Sequence, residues 1–170
     1  MRLRHDCRTK QYMKQERLLN NIENLVDVGD CFVLRVLGYS MLPLLGHGSD
    51  KIVVRRIGPT QDIMHRIAMF RTPQNKIIVH RVIAVQGDEV VLQGDGNLYE
   101  VERCSRAEIV GVVESVRRRG GREISCTTKK WQRRERLWLS QPLFVRRCVL
   151  AILRRWFVLK NKIRQIWILE

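Results

Sequence analysis

Six short runs rich in β-branched and aromatic residues fill the middle of the chain and constrain its fold more than any other feature. They are CFVLRVL, KIVVRRI, IAMFR, KIIVHRVIAV, EVVL and IVGVVESV, at residues 31–37, 51–57, 67–71, 76–85, 89–92 and 109–116. Each run is bounded by Gly, Pro, Asn or Asp, and no helical period lies between them. The pattern predicts a mainly β core of the barrel or folded-sheet kind.

Helical patterns flank this β region on both sides. Apolar residues at 18, 19, 22 and 25 predict a short amphipathic helix near the N-terminus. From about Pro142 to Leu159, an apolar face (Val145, Cys148, Val149, Ile152, Leu153, Trp156, Leu159) opposes an arginine face (Arg146, Arg147, Arg154, Arg155). We therefore predict a helical leader at 1–26, a β domain at 27–116 and a basic helical tail rich in Trp and Arg at 117–170.

The charge of the chain lies almost entirely in that tail. The net charge is +15, and residues 117–170 hold 16 Lys and Arg against three acidic residues, a surplus of 13. An arginine-rich amphipathic helix with tryptophans suits an anionic membrane surface, which residues 131–167 would contact. The same helix could instead dock its apolar side on the β domain, and the sequence leaves both alternatives open. Nucleic acid is a less favoured partner, because no groove-reading motif accompanies the charge.

Other sequence features bear on compartment and cofactors. No uncharged run approaches the roughly 20 apolar residues that a membrane-spanning helix needs, and the first residues lack the apolar region of a secretory signal. The five cysteines are widely spaced and form no C-x-x-C pair, which favours reduced thiols. We expect a cytoplasmic protein, free or peripheral on a membrane, with no metal and no cofactor. The oligomeric state is not predicted.

The densest group of special residues is Gly-Tyr-Ser-Met-Leu-Pro at 38–43. Ser40 lies on a turn between a flexible glycine and a rigid proline, directly after an apolar strand, so its hydroxyl can be held at a fixed angle. A serine nucleophile needs a base within hydrogen-bond reach. Of the four histidines, only His80 lies within a predicted strand, whereas His5 lies in the charged leader and His47 and His65 lie in turn-like segments. We therefore favour His80 as the base.

A carboxylate follows one strand later, in the glycine-flanked turn Gln-Gly-Asp-Gly-Asn at 93–97. Asp95 could accept the Nδ1 proton of His80 and fix its tautomer, the third role of a catalytic triad. Glu100 and Glu102 are less favoured candidates for that role.

These motifs, in this order, resemble the superfamily of type I signal peptidases and LexA-like self-cleaving repressors. Residues 38–43 look like its nucleophile box (G-x-S-M-x-P), 79–83 (VHRVI) like its general-base box, and 94–97 (GDGN) like its G-D-x-N box. Residues 49–54 and 62–71 are similar to the strands between them. The resemblance spans about residues 27–114.

The resemblance implies a serine endopeptidase that cleaves a specific peptide or exported protein. The base of this superfamily is Lys in most bacterial signal peptidases and LexA-like repressors, and His in the endoplasmic-reticulum and archaeal enzymes, so His80 implies the second kind. Ser40 would attack the scissile carbonyl, and Asp95 would orient His80. The preference of the family for small residues at the cleavage point implies Met41 and Phe32 as pocket walls. The alternative is a binding or regulatory module of the same fold that cleaves nothing and attaches to a membrane by its tail.

Overall fold

The computed structural model describes residues 25–58 and 60–166. Within these residues, eight strands form one antiparallel sheet: β1 (Cys31–Arg35), β2 (Lys51–Arg56), β3 (Ile67–Arg71), β4 (Ile77–Gln86), β5 (Glu89–Gln93), β6 (Glu102–Ser105), β7 (Ile109–Arg117) and β8 (Glu123–Ser125). A 3₁₀ turn (Arg106–Glu108) connects β6 to β7. Two helices follow the sheet, α1 (Lys129–Leu139) and α2 (Leu143–Ile166). The predicted mainly β class is confirmed.

The sheet is open, and its strand order explains where a ligand can approach. The order is β1-β2-β7-β3-β4-β5-β6, with β8 beside the end of β7, so β1, β6 and β8 each have one strand partner among the described strands. Bulges in the pairings of β2 with β7, β3 with β7 and β4 with β5 bend the strands. Because β5 pairs with β4 only from Arg81 onward, residues 77–80 of β4 have a strand partner on one side only.

Side chains of one strand alternate between two apolar clusters, as the pleat of a strand requires. In β3, Ile67 and Met69 belong to one cluster, whereas Ala68 and Phe70 belong to the other. The first cluster continues into the loop after β1 through Leu42, and into both helices. Since β3 is buried on both faces, its sequence is a continuous apolar run without alternation.

All six predicted strands are present, and the structure adds β6 and β8. The sequence of β6 is ERCS, in which only Cys104 is buried, so the strand carries no apolar alternation to reveal it. β8 has three residues and is held by pairing with residues 115–117 of β7. Short polar strands at the edge of a sheet are recognisable only from their partners.

The C-terminal segment shares a core with the β region. β8 belongs to the sheet, and Trp131, Trp138 and Leu150 are buried in the first apolar cluster. The boundary predicted at residue 116 therefore does not separate two cores. Thr128 begins α1, because its hydroxyl accepts a hydrogen bond from the Trp131 N–H.

Helix α2 faces the sheet differently from the sequence prediction. Arg146 and Arg154, expected on a solvated face, donate hydrogen bonds to the backbone carbonyls of residues 95 and 96, although Arg154 is otherwise exposed. Most of the predicted apolar face points outward instead, with Ile152 68% and Trp156 60% exposed. Hydrophobic periodicity identifies the two faces of a helix, but buried carbonyls that need donors can draw arginines inward.

Two further sequence predictions concern the N-terminal leader and membrane-spanning helices. The predicted leader at 1–26 lies almost wholly outside the described residues. In the part of the chain that is described, no helix combines the length and apolarity required to cross a bilayer.

One cysteine departs from the prediction of reduced thiols. Cys31 is disulfide-bonded, whereas Cys104, Cys126 and Cys148 are free. The prediction is therefore wrong for Cys31. Wide spacing along a sequence excludes only local pairs of cysteines, since folding can bring distant residues together.

Candidate active site

Ser40 lies on the turn that follows β1, half-buried at the surface of the first apolar cluster. Gly38 has a φ of +92°, which favours glycine there, and its N–H donates to Nδ1 of His47 at 2.9 Å. The Leu42–Pro43 peptide bond is cis. Beyond it, Leu44 and Leu45 are buried, so the segment on both sides of Ser40 is fixed by packing and hydrogen bonds.

A buried carboxylate closes the loop after Ser40. Asp50 is 3% exposed and accepts a hydrogen bond from the Gly46 N–H at 2.7 Å. Arg118 forms an ion pair with Asp50 and donates to the Leu44 carbonyl at 2.8 Å. Part of the arginine run at 117–119 therefore stabilises the loop that carries the serine.

His80 lies in the half of β4 that has a strand on one side only. Its side chain is 4% exposed, and neither Nδ1 nor Nε2 has a hydrogen-bond partner. The hydrogen bond expected between Ser40 and His80 is therefore not formed in this structure. Burial lowers the pKa of His80 from its usual 6.5, and the nearby carboxylate of Asp95 offsets this in part. The imidazole is therefore neutral at pH 7, the state that a general base requires.

Ser40 and His80 line the same cavity of about 430 Å³. Its other walls come from the end of β1, the loop after Ser40 and the start of β4, and they are mostly apolar (Leu34, Val36, Leu37, Met41, Leu45, Ile52, Met69, Ile77, Val79). Met41, an expected pocket wall, lines it. Phe32 does not line it: it lies two residues before Leu34 in β1 and is covered by the core, 1% exposed.

The 94–97 turn holds the serine and the histidine from the other side. A Cβ atom at Gly94 would lie 2.5 Å from the Ser40 carbonyl oxygen and 3.1 Å from Nε2 of His80. At Gly96, a Cβ would lie 2.8 Å from the carbonyl oxygen of Tyr39. The Gly96 N–H donates to the Ser40 carbonyl at 2.7 Å. The glycines of the GDGN sequence therefore allow this turn to pack directly on the nucleophile segment and the imidazole.

Asp95 lies in that turn, but its carboxylate binds Arg81. Nε and Nη2 of Arg81 donate to the two carboxylate oxygens of Asp95, each at 2.8 Å. The hydrogen bond predicted between His80 and Asp95 is not formed in this structure. A guanidinium presents two parallel donors that match both oxygens of a carboxylate, whereas an imidazole offers one. Asp95 acts on His80 through its charge.

Arg81 is the centre of a buried ionic network. It is 4% exposed and also pairs with Glu135 of α1, with 2.9 Å between Nη1 and Oε1. Burial alone would lower the pKa of Arg81, but hydrogen bonds and charges from Asp95 and Glu135 raise it. The network therefore keeps its charges and ties α1 to the strand that carries His80.

The remaining candidates lie away from His80. Glu100 accepts a hydrogen bond from Nδ2 of Asn97 at 2.9 Å, and Glu102 lies in β6. Burial, followed by nearby carboxylates, raises the pKa of Cys104 to about 12, and burial is also the main reason that the pKa of Cys126 is about 12. Neither thiol is a nucleophile at neutral pH. Among the described residues, no group of three or more His, Cys, Asp and Glu could hold a metal ion.

Sequence reasoning missed several residues of this site. Arg81 stands directly after His80 and was not predicted as a site residue, because the general-base motif indicates only the histidine. Glu135, Trp138 and Arg154 come from the tail, and they reach the site only through the docking of the helices. His47 was assigned to a turn, and its contact with Gly38 depends on the path of the following loop.

Comparison with known proteins identifies a family that the chain matches. A family model described as Peptidase S24-like matches residues 6–114, which is well over half of the 170-residue chain. The match covers the nucleophile turn, β4 and the 94–97 turn, and it ends before α1. A search of curated proteins finds no match.

Proposed function

Since the chain belongs to the Peptidase S24-like family, we propose that it is a serine endopeptidase in which Ser40 is the nucleophile and His80 the general base. The proposed substrate is a specific peptide or an exported protein, cleaved at a segment that can lie extended in the cavity.

The observation that carries this proposal is the unpartnered imidazole of His80 beside Ser40. Burying a polar group without a hydrogen bond costs roughly 1–3 kcal/mol, so folded proteins rarely keep one without a functional reason. His80 keeps two such nitrogens and lines one cavity with a half-buried serine. Catalytic hydrogen bonds are often loose in a free enzyme and tighten when substrate excludes water.

The reaction follows from these positions. His80 takes the proton of the Ser40 hydroxyl as Oγ attacks the scissile carbonyl, and the imidazolium then protonates the leaving amine. Water hydrolyses the acyl-enzyme with His80 again as base. Backbone N–H groups near Ser40 would stabilise the oxyanion. The N–H of Gly38 is not one of them in this structure, because it donates to His47.

Two open strand edges support binding of an extended substrate. The end of β1 and residues 77–80 of β4 both line the cavity, and each has a strand partner on one side only among the described strands. A peptide can add to such an edge through backbone hydrogen bonds, while side chains on alternate positions enter the cavity. The apolar walls around Met41 favour an apolar or small side chain there.

The pH dependence of Ser40 labelling tests the role of His80. A fluorophosphonate probe phosphonylates only an activated serine, whose oxygen displaces fluoride from phosphorus, and we expect labelling of Ser40 that is lost in Ser40→Ala. Because burial lowers the pKa of His80, the labelling rate should be level around neutral pH and fall to half only below pH 6.5. Labelling reactions quenched at a series of times between pH 4.5 and 8, and analysed by intact-protein mass spectrometry, measure this profile. A half-maximal rate above pH 6.5 would contradict the assignment.

We also propose an anionic membrane surface as a partner, bound by the outward face of α2. That face carries apolar side chains that are exposed in the described structure (Phe144, Val145, Ile152, Trp156, Leu159). Arg147 and Arg155 are exposed on the same helix, and residues 117–170 as a whole have a surplus of 13 positive charges. Apolar side chains with tryptophan enter the interface, and arginines pair with lipid phosphates.

Vesicle sedimentation tests this partner. We expect the protein to pellet with vesicles of phosphatidylcholine and phosphatidylglycerol but not with phosphatidylcholine alone. The double variant Ile152→Ser/Trp156→Ser should bind on the order of tenfold more weakly, because two apolar side chains no longer enter the bilayer. Ile83→Ser, which changes an exposed apolar residue on β4, is the control and should bind like the parent. Equal binding of the double variant, or a dimer in light scattering that this variant abolishes, would contradict the proposal.

A further inference from the structure

The 94–97 turn lies between the proposed catalytic pair and the two C-terminal helices. On one side, Gly94 packs against the Ser40 carbonyl and Nε2 of His80, and the Gly96 N–H donates to the Ser40 carbonyl. These contacts leave no room for a side chain at Gly94. A shift of the turn would therefore move Ser40 or change the space beside the imidazole.

On its other side, the turn is held by side chains of the helices. The indole Nε1 of Trp138 in α1 donates to the Asp95 carbonyl at 2.9 Å, and Arg146 in α2 donates to the same oxygen at 3.2 Å. Arg154, two turns further along α2, donates to the Gly96 carbonyl at 2.9 Å. Two consecutive carbonyls of the turn thus accept three hydrogen bonds from the helices.

The two side chains that donate to the Asp95 carbonyl also pack against each other. Trp138 is 7% exposed, and the guanidinium of Arg146 lies over its ring at 5.3 Å from the ring centroid. Hydrogen bonds from guanidinium groups are stronger than those between neutral groups, and an orphaned buried carbonyl is costly. The pair of Glu135 with Arg81 adds a fourth link, from α1 to the residue that follows His80.

We infer that α1 and α2 are positioning elements of the catalytic centre, and that Trp138 and Arg154 are its positioning residues. The inference rests on the proposed function for its catalytic meaning. Neither residue contacts the reacting atoms. They hold the 94–97 turn in place, and the turn holds the backbone of Ser40 and borders the imidazole of His80. The helices lie outside the family match at residues 6–114.

Three variants of the full chain isolate the helix contacts. Trp138→Phe keeps the ring in the core and removes only the N–H that donates to Asp95. Arg154→Gln removes the guanidinium, whereas Arg154→Lys keeps a charged donor for the Gly96 carbonyl. Arg122→Gln is the control, because it removes the same charge at an exposed position outside both helices and outside the proposed membrane-binding face.

Two readouts are taken well below the thermal midpoint of each variant, where the folded fraction exceeds 99%. One is the rate of fluorophosphonate labelling, and the other is the NMR titration of the His80 imidazole. We expect Trp138→Phe and Arg154→Gln to label on the order of ten- to a hundredfold more slowly, because small misplacements of reacting groups cost this much. Their His80 resonance should shift. Arg154→Lys should recover most of the rate, and Arg122→Gln should match the parent in both readouts.

The outcomes separate the inference from the proposed function. A parent protein that is not labelled would refute the peptidase proposal, while a shifted His80 resonance in the two variants would still support the positioning of the turn. If Trp138→Phe and Arg154→Gln only lower the melting temperature and keep the parental rate and His80 resonance, the helices stabilise the fold alone and the inference is wrong.

Discussion

Replacement of His80 with alanine is expected to lower the rate of Ser40 phosphonylation by a fluorophosphonate by a factor on the order of 10²–10⁴. The hydroxyl of serine is a weak nucleophile, and the imidazole is the group beside it in the cavity that can take its proton at neutral pH. Single-turnover labelling with a fluorophosphonate, measured at pH 7.5, gives the ratio of rates.

A variant could also lose the labelling rate because it unfolds. Measuring the stability of each variant distinguishes this from the loss of the base. Because neither ring nitrogen of His80 forms a hydrogen bond, an apolar residue of similar size removes an unfavourable burial. His80→Leu should therefore unfold at the same or a higher denaturant concentration than the parent and still lose the labelling rate. His65→Asn is the matched control, since His65 is exposed and asparagine tolerates its φ of 61°. Parental labelling of His80→Leu would contradict the assignment of the base.

Replacement of Asp95 with alanine is expected to lower the free energy of unfolding by about 3–5 kcal/mol, the usual cost of leaving one partner of a buried ion pair uncompensated. Asp95 is 2% exposed and binds Arg81 through both oxygens, so its loss leaves a buried guanidinium with Glu135 as its one carboxylate partner among the described residues. Urea unfolding followed by tryptophan fluorescence measures the difference. Asp88→Ala, at an exposed carboxylate of the β4–β5 turn, should change the free energy by less than about 0.5 kcal/mol.

The same residue has a predicted effect on the pH profile. The negative charge of Asp95 favours the protonated imidazole and so raises the pKa of His80 against the effect of burial. In Asp95→Asn that charge is gone, the pKa falls further, and the acid limb of the labelling rate should move to lower pH. A movement to higher pH would contradict the assigned electrostatic role.

The sequence was sufficient for the β core because its strands are strongly patterned. β3 and β4 are long apolar or β-branched runs bounded by turn residues, and such runs have few alternative structures. β6 and β8 were not predicted, because their residues are mostly polar and their conformation depends on pairing with β5 and β7. Local pattern cannot report an interaction that exists only between distant segments.

In the candidate site too, local motifs could be recognised from the sequence, whereas contacts between side chains could not. Ser40 and His80 could be proposed because their motifs are local, and both line one cavity. The partner of Asp95 could not, since Arg81 and His80 are adjacent in sequence and only the direction of each side chain in β4 decides which one meets the carboxylate. The hydrogen bond of Arg154 with the Gly96 carbonyl could not be predicted either, because an arginine on an amphipathic helix is usually solvated.

The most direct test of the central claim is to locate the adduct after the parent protein reacts with a fluorophosphonate at pH 7.5. Proteolytic digestion and mass spectrometry of the labelled protein identify the modified residue. The account predicts one adduct per chain, on Ser40, that forms in the parent and is absent from Ser40→Ala and strongly reduced in His80→Leu. An unlabelled parent, or an adduct on a residue other than Ser40, would contradict it and favour a binding module that keeps the fold without the chemistry.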